Sequence, residues 1–278
     1  MNKMTNVLST KNLRRSISMI VVMIMILAMT MVPAFAAPGD LAMLTLPSSD
    51  FTKIVEVGDP NFTLTVTGLD SSYQPAPVDG TKVSWSTSNA SVATVSPASG
   101  SATATVNIVG GEGIAVITAS YSDPGVDSVT SNVVVEGTTT VSSVNNISVM
   151  AVDLTTSTIV LPPTFLSTVY LTDFTSADVV GGDMSNVLKK SPSVMTALVA
   201  TAKAHGFTPS LTPSPTSYTI SSGGSYLSSL GGLSADYVNQ LGWTYTVLRG
   251  GTYLPSEYAA SMIALEPGDI IVFYYDNY

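Results

Sequence analysis

The feature that most constrains this chain is strict alternation. Phe62, Leu64 and Val66 are interleaved with Thr63, Thr65 and Thr67, a period of two that fits a half-buried strand and no helix. The same pattern recurs downstream. Val83 and Trp85 share one candidate face, Ala102, Ala104, Val106 and Ile108 another, Ala115, Ile117 and Ala119 a third, and Val133 and Val135 a fourth. Turn residues fall between these runs: Gly58-Asp59-Pro60, the stretch from Pro75 to Gly80, Ser96-Pro97, Gly110-Gly111 and Asp123-Pro124-Gly125. Short alternating strands with such punctuation predict a β-sandwich over residues 37–137. Trp85, in phase with Val83, is expected in its core, with its ring buried and its N–H bonded, rather than on the surface as a sugar platform.

Composition agrees with an all-β exterior. Only 10% of residues are charged, well under the usual quarter or so, and branched Thr and Val suit a pleated surface. No cysteine is present, which excludes disulfides, thiolate metal sites and a cysteine nucleophile. All 19 acidic residues but only six basic ones fall after residue 36. A chain so acidic repels phosphate backbones, so nucleic acid is excluded as a partner, and anionic lipid surfaces are disfavoured for the same reason.

Residues 1–36 read as an export signal. Lys11, Arg14 and Arg15 precede an apolar stretch from Ile17 to Val32, broken only by Ser18 and Thr30. Pro33 and Ala34-Phe35-Ala36 follow. Cleavage is expected after Ala36. The alternative, an uncleaved anchor, would need about 20 apolar residues, more than this stretch supplies. No later segment is long and apolar enough to span. The mature protein is therefore expected outside the cell, free or at its surface, with no membrane span.

Residues 138–146 are polar and read as a linker. Beyond them the texture changes: ten of the twelve tyrosines follow residue 147. Ser191-Pro192-Ser193 predicts a helix start. Val194, Leu198, Val199 and Ala202 predict one apolar face, and Gly206 the stop. Strands are expected at 147–152, 169–171, 225–227, 243–247 and 270–275. The last is apolar on both sides and is expected to be central and covered on both faces. This order predicts an α+β unit, one helix across a mixed sheet. The fold class is mainly β, a sandwich followed by α+β.

Two family resemblances sharpen these expectations. Val83-Ser84-Trp85-Ser86-Thr87-Ser88-Asn89, then Val92-Ala93-Thr94-Val95, then Gly113-Ile114-Ala115-Val116-Ile117-Thr118-Ala119 resembles the group 2 bacterial immunoglobulin-like domain. The gap between Val95 and Gly113 is wider than that family's. The resemblance implies an immunoglobulin-like sandwich used by surface proteins as a spacer or adhesion module. Ser225-Tyr226-Leu227-Ser228-Ser229-Leu230-Gly231-Gly232-Leu233, Gly242-Trp243-Thr244-Tyr245-Thr246-Val247 and Pro267-Gly268-Asp269-Ile270-Ile271 resemble the transcobalamin-like C-terminal domain. That resemblance covers residues 147–278. It implies a β-grasp fold and cobalamin as a conceivable ligand, although the helical domain that completes the vitamin site in transporting members has no counterpart here. The insertion Leu248-Arg249-Gly250-Gly251-Thr252-Tyr253 departs from the family pattern. Its Gly-Gly pair suits a tight turn, and Arg249 is the sole arginine after residue 36.

Little in the chain points to catalysis. His205 is the single histidine, placed at a helix end, and no nucleophile elbow accompanies it. The pairs Asp123/Asp127 and Asp173/Asp178 lie in turn-like segments. They could hold calcium, but neither has full loop spacing. Aromatic side chains are the better signal. Tyr226, Trp243, Tyr245, Tyr253 and Tyr258 are the candidate ligand-binding residues, with Tyr274 and Tyr275 beside them. Such rings offer large flat contact and a polar tip. Trp243, Tyr245 and Val247 share one strand face and are better explained as core, whereas Tyr253 and Tyr258 are expected to be exposed. Two functions remain: a non-enzymatic binding protein whose spacer presents a module for a flat small ligand such as a corrinoid, or a structural adhesion protein contacting envelope protein or glycan.

Overall fold

The computed structural model describes residues 40–254 and 258–277, so the expected export signal, residues 1–36, lies outside the described residues. The fold is mainly β, with one α-helix among the described residues. Two separate cores divide it.

The first unit runs β1 (Leu41–Thr45), β2 (Thr52–Glu56), β3 (Phe62–Thr65), β4 (Thr67–Asp70), β5 (Pro75–Ala76), β6 (Val83–Thr87), β7 (Ala93–Ser96), β8 (Thr103–Ile108), β9 (Gly113–Tyr121) and β10 (Val129–Glu136). One sheet has the order β2-β10-β9-β6, with β2 and β10 parallel. Two smaller ones are β1-β4-β5 and β3-β8-β7. Their inward residues meet in a single core. Leu64, Val66, Val83, Ala104, Val106, Ala115, Ile117, Ala119, Val133 and Val135 are buried, while Thr63, Thr65, Ser84 and Ser86 between them face solvent. Each Val, Leu or Ile among them contributes roughly 2 kcal/mol by leaving water, each Ala well under half of that. Trp85 is buried among them, and its Nε1–H donates to the Ser101 carbonyl at 2.9 Å.

The second unit runs β11 (Ser143–Asp153), β12 (Thr158–Tyr170), α1 (Val194–Ala204), β13 (Thr208–Pro209), β14 (Ser217–Ser221), β15 (Tyr226–Leu230), β16 (Leu233–Ser234), β17 (Leu241–Arg249), β18 (Thr252–Tyr253) and β19 (Ile270–Asn277). The main sheet is β12-β11-β19-β17-β18, mixed because β11 and β19 run parallel. A smaller one is β13-β14-β15-β16. Ser193 caps α1: its Oγ accepts from the Thr196 N–H, and the Thr196 hydroxyl returns the favour to the Ser193 N–H. The sequence predicts one apolar helix face. In fact Val194 through Val199 are buried without a break, as are Thr201 and Ala202, so α1 is enclosed on nearly every side, as a helix without a long polar face must be. Its two buried threonines are satisfied internally, Thr201 by donating to the Ala197 carbonyl at 2.9 Å.

Two further expectations need correction. β19 is central, between β11 and β17, but it is covered on one face only. Ile271, Phe273 and Tyr275 are buried, while Ile270 is 46% exposed. The residues expected as a linker, 138–146, are strand from Ser143 onward. Val144 enters the core and pairs with Val169, so the chain rejoins a sheet sooner than its polarity suggests.

The connection is also fastened. Both carboxylate oxygens of Glu136, a residue only 6% exposed, accept the backbone N–H of Lys189, and Oε1 also accepts that of Lys190, at 2.8–3.0 Å. The Val141 N–H donates to the Lys190 carbonyl, and the Lys190 ammonium pairs with Glu56 at 3.2 Å. Val134 from the first unit packs with Leu188 and Met262 from the second. Among the described residues no helix is long and apolar enough to cross a membrane.

Candidate binding site

The strand pattern of β17 places Trp243, Tyr245 and Val247 on the face toward α1, with Phe273 and Tyr275 in register on β19. Tyr245 and Val247 are deeply buried, and Trp243 is only half-buried at the sheet's end. β14 and β15 are joined by the turn Ser222-Gly223-Gly224-Ser225. Here Ser222, Gly223 and Gly224 all have positive φ (53°, 67° and 87°). The glycines are required twice over, by that backbone and by contact, since a Cβ at Gly223 would lie 2.6 Å from the Ser185 Oγ, and one at Gly224 would collide with Val187. This turn carries Ser222, Ser225 and Tyr226 to the edge of the β17 sheet.

Together these elements enclose a cleft of about 520 Å³, within the range typical of small-ligand sites. Tyr226, Tyr237, Trp243 and Tyr258 form its walls, Tyr245, Phe273 and Met195 its floor, and Ser222, Ser225 and Thr244 add hydroxyls. Four of the five residues predicted from sequence, Tyr226, Trp243, Tyr245 and Tyr258, therefore converge. Tyr253 does not: it stands 70% exposed on β18, outside the lining.

The rings are held in place by their polar tips. Trp243 Nε1–H donates to the Leu233 carbonyl at 3.0 Å, and its ring lies 5.4 Å from that of Tyr275 at 51°. Tyr275 in turn donates to the Ser234 carbonyl at 2.6 Å. The Tyr245 hydroxyl donates to the Tyr258 carbonyl at 2.5 Å, and its ring is 5.7 Å from Phe273. The Tyr237 hydroxyl donates to that of Tyr226 at 3.1 Å. Since the indole N–H of Trp243 is already used, what it offers a ligand is its face. Burial pushes the Tyr245 phenol well above its ordinary pKa, and burial followed by the nearby Asp236 and Asp153 charges raises that of Tyr275. Both stay neutral at physiological pH. Among the described residues no charged side chain lines the cleft, and the side chains that do line it can stack and hydrogen-bond.

Tyr237, Ser222 and Ser225 were not singled out from the sequence. Tyr237 sits in a turn with no strand period, and the serines are unremarkable in a serine-rich chain. The other candidates go elsewhere. His205 is exposed at the end of α1, with Nε2 2.8 Å from the Thr164 Oγ1. Asp123 pairs with Lys82 at 2.6 Å, and Asp173 accepts the Tyr170 N–H at 2.8 Å. Asp178 is buried under Lys203 and Tyr218. Among the described residues no group of three or more His, Asp or Glu side chains is gathered to hold a metal ion. Arg249 is structural. Its guanidinium grips the fully buried Asp269 with two bonds, 2.8 and 2.9 Å, and also reaches Glu266 and the Ala264 carbonyl. A second cavity, about 420 Å³, lies at the junction of the units beside Val134, Leu188 and Met262. The charges around it that belong to Glu136, Lys190 and Arg249 are already engaged in the contacts above.

Comparison with known proteins returns no matching family model and no matching curated sequence.

Proposed function

We propose that this chain is an exported, non-enzymatic binding protein: an immunoglobulin-like unit carries an α+β unit of β-grasp type, whose aromatic cleft takes a flat, uncharged small ligand. One observation carries the reading. Tyr226, Tyr237, Trp243 and Tyr245 converge on one cleft, each with its polar tip in a hydrogen bond that fixes its ring. A corrinoid, the ligand class implied by the family resemblance, would enter such a cleft by one edge only, because about 520 Å³ does not enclose the macrocycle and its appended nucleotide.

The chain has two tryptophans. Trp85 is sealed in the first core and Trp243 borders the cleft, so a ligand should change the emission of Trp243 alone. Titration with cyanocobalamin and with neutral monosaccharides, followed by tryptophan fluorescence and calorimetry, is expected to give a saturable signal for at least one of them. Trp243→Ala should weaken that binding at least about tenfold, or 1.4 kcal/mol. If no probe binds at millimolar protein, the reading fails. Export has its own check: protein recovered from the medium of expressing cells should begin at Ala37, and a product that keeps residues 1–36 and stays inside would refute it.

A further inference from the structure

The aromatic cleft shares part of its lining with a neighbouring cavity. Ser222 and Ser225, which border it, also border a larger cavity of about 800 Å³. The far side of that cavity belongs to the first unit: Ser48, Ser49, Phe51 and Thr52. We infer that the ligand is an uncharged oligosaccharide laid along one continuous groove that spans both units. The inference rests on the reading of the cleft given above and assigns the first unit a share in binding rather than the role of a spacer.

The chemistry along the groove alternates as a sugar chain does. At one end Tyr226, Tyr237 and Trp243 present ring faces. In the middle the Ser222–Ser225 turn, Ser185 and Asn186 bring an amide and hydroxyl oxygens that can accept, the Ser185 and Ser225 hydroxyl protons being given to Asp183 and to the Ser222 carbonyl. At the far end Phe51 stands 43% exposed, with Ser49 and Thr52 also in the wall. Pyranose rings have apolar C–H faces that stack on aromatic rings, and equatorial hydroxyls that bond to serine and asparagine side chains. Of the charges along the groove, Lys53 pairs with Asp50 at 2.8 Å, while Asp183 accepts the N–H and hydroxyl of Ser185 at 2.9 and 3.1 Å and keeps its negative charge. An uncharged polymer therefore fits better than an anionic one.

The two halves of the groove are kept in line by the contacts between units. The Glu136 carboxylate holds the backbone at Lys189 and Lys190, and the Lys190 ammonium pairs with Glu56 at 3.2 Å. Asn186 itself bonds the Ser222 carbonyl through Nδ2 at 2.9 Å, which ties the dividing turn to the groove floor. A rigid, preformed groove loses less entropy on binding than one that must be assembled.

The test is a length series. Calorimetric titration of the full mature chain with cellulose-type glucose oligomers and chitin-type N-acetylglucosamine oligomers, from monosaccharide to hexasaccharide, should show affinity rising at least about tenfold with length in one series. Phe51→Ala removes only an exposed ring and is expected to erase that gain while leaving the shortest binding sugar unchanged. Ser49→Trp, which fills the same end, should act alike and guards against a fold defect in the first variant. Trp243→Ala should weaken every length. Affinity independent of length, or a gain that survives both first-unit variants, overturns the spanning groove and leaves the cleft reading standing. Failure of every oligomer, where cyanocobalamin still binds, overturns the sugar assignment alone. An extended peptide laid along the edge of β2 is the competing occupant, and its binding in place of any sugar would overturn the inference too.

Discussion

Asp178 is 3% exposed, yet it carries its charge through four donors: the Thr175 N–H and hydroxyl, the Lys203 ammonium at 2.8 Å and the Tyr218 hydroxyl at 2.6 Å. Burial by itself raises its pKa, but the Lys203 and Tyr218 bonds and the Thr175 amide outweigh that and hold the carboxyl below its ordinary value. A carboxyl depressed in the folded state binds its proton more readily when unfolded. Its stabilisation is therefore complete above the ordinary aspartate value of about 3.9 and is lost as pH falls through the lower folded value. Chemical denaturation between pH 7 and 3 should show stability declining below about pH 4. Asp178→Ala should cost about 2 kcal/mol at neutral pH, because the buried Tyr218 hydroxyl loses its acceptor, and should flatten that acid limb. An unchanged acid limb in the variant would show that the decline belongs to other carboxylates. The contrast with Trp85 shows what a sequence can reveal of a residue. Trp85 was legible as core because its strand neighbours fix its face. Asp178 read only as one half of a loop carboxylate pair, because its partners, Lys203 and Tyr218, lie 25 and 40 positions away and nothing local announces them.

At the level of elements, legibility followed periodicity. In the first unit β3, β6, β8, β9 and β10 were readable from alternation, since Thr and Ser mark the outward positions and Val, Ile and Ala the inward ones, whereas β1, β2 and β5 carry no such clean period and were not expected. The start of α1 was equally plain from Ser193, but its full enclosure was not. Thr196 and Thr201 look like a polar face until their hydroxyls are seen to bond within the helix and its cap. β12 was the element most underestimated. Its sequence holds Pro162-Pro163, which breaks alternation and argues against a strand. The structure accommodates both prolines at a register shift opposite Met150, between the pairs Ala151–Leu161 and Val149–Thr164, and it does so on an edge strand. The candidate site was legible in its aromatic members on β15 and β17 but not in its hydroxyls. The β14–β15 turn that delivers the hydroxyls is shaped by backbone angles and by contact with residues 185–187, which no local pattern encodes.

For the whole molecule, the decisive contact is Glu136. A carboxylate at the end of β10 serves as the acceptor for two amides more than fifty residues further along the chain, so the junction is part of the fold rather than a tether. The intact chain is expected to unfold in one calorimetric transition. Glu136→Ala leaves the Lys189 and Lys190 amides without an acceptor, at a cost of about 2 kcal/mol, and should resolve the melt into two transitions, one for each core. A single transition at the unchanged temperature would show that the apolar contacts of Val134, Leu188 and Met262 suffice alone. The edge formed by β12 has a consequence that reaches past one molecule. A β-rich chain at high concentration risks zipping onto its neighbours wherever a long strand lies open. The consecutive prolines remove donors and bend the rim midway along that strand, so an approaching copy meets no unbroken ladder on which a fibril could grow.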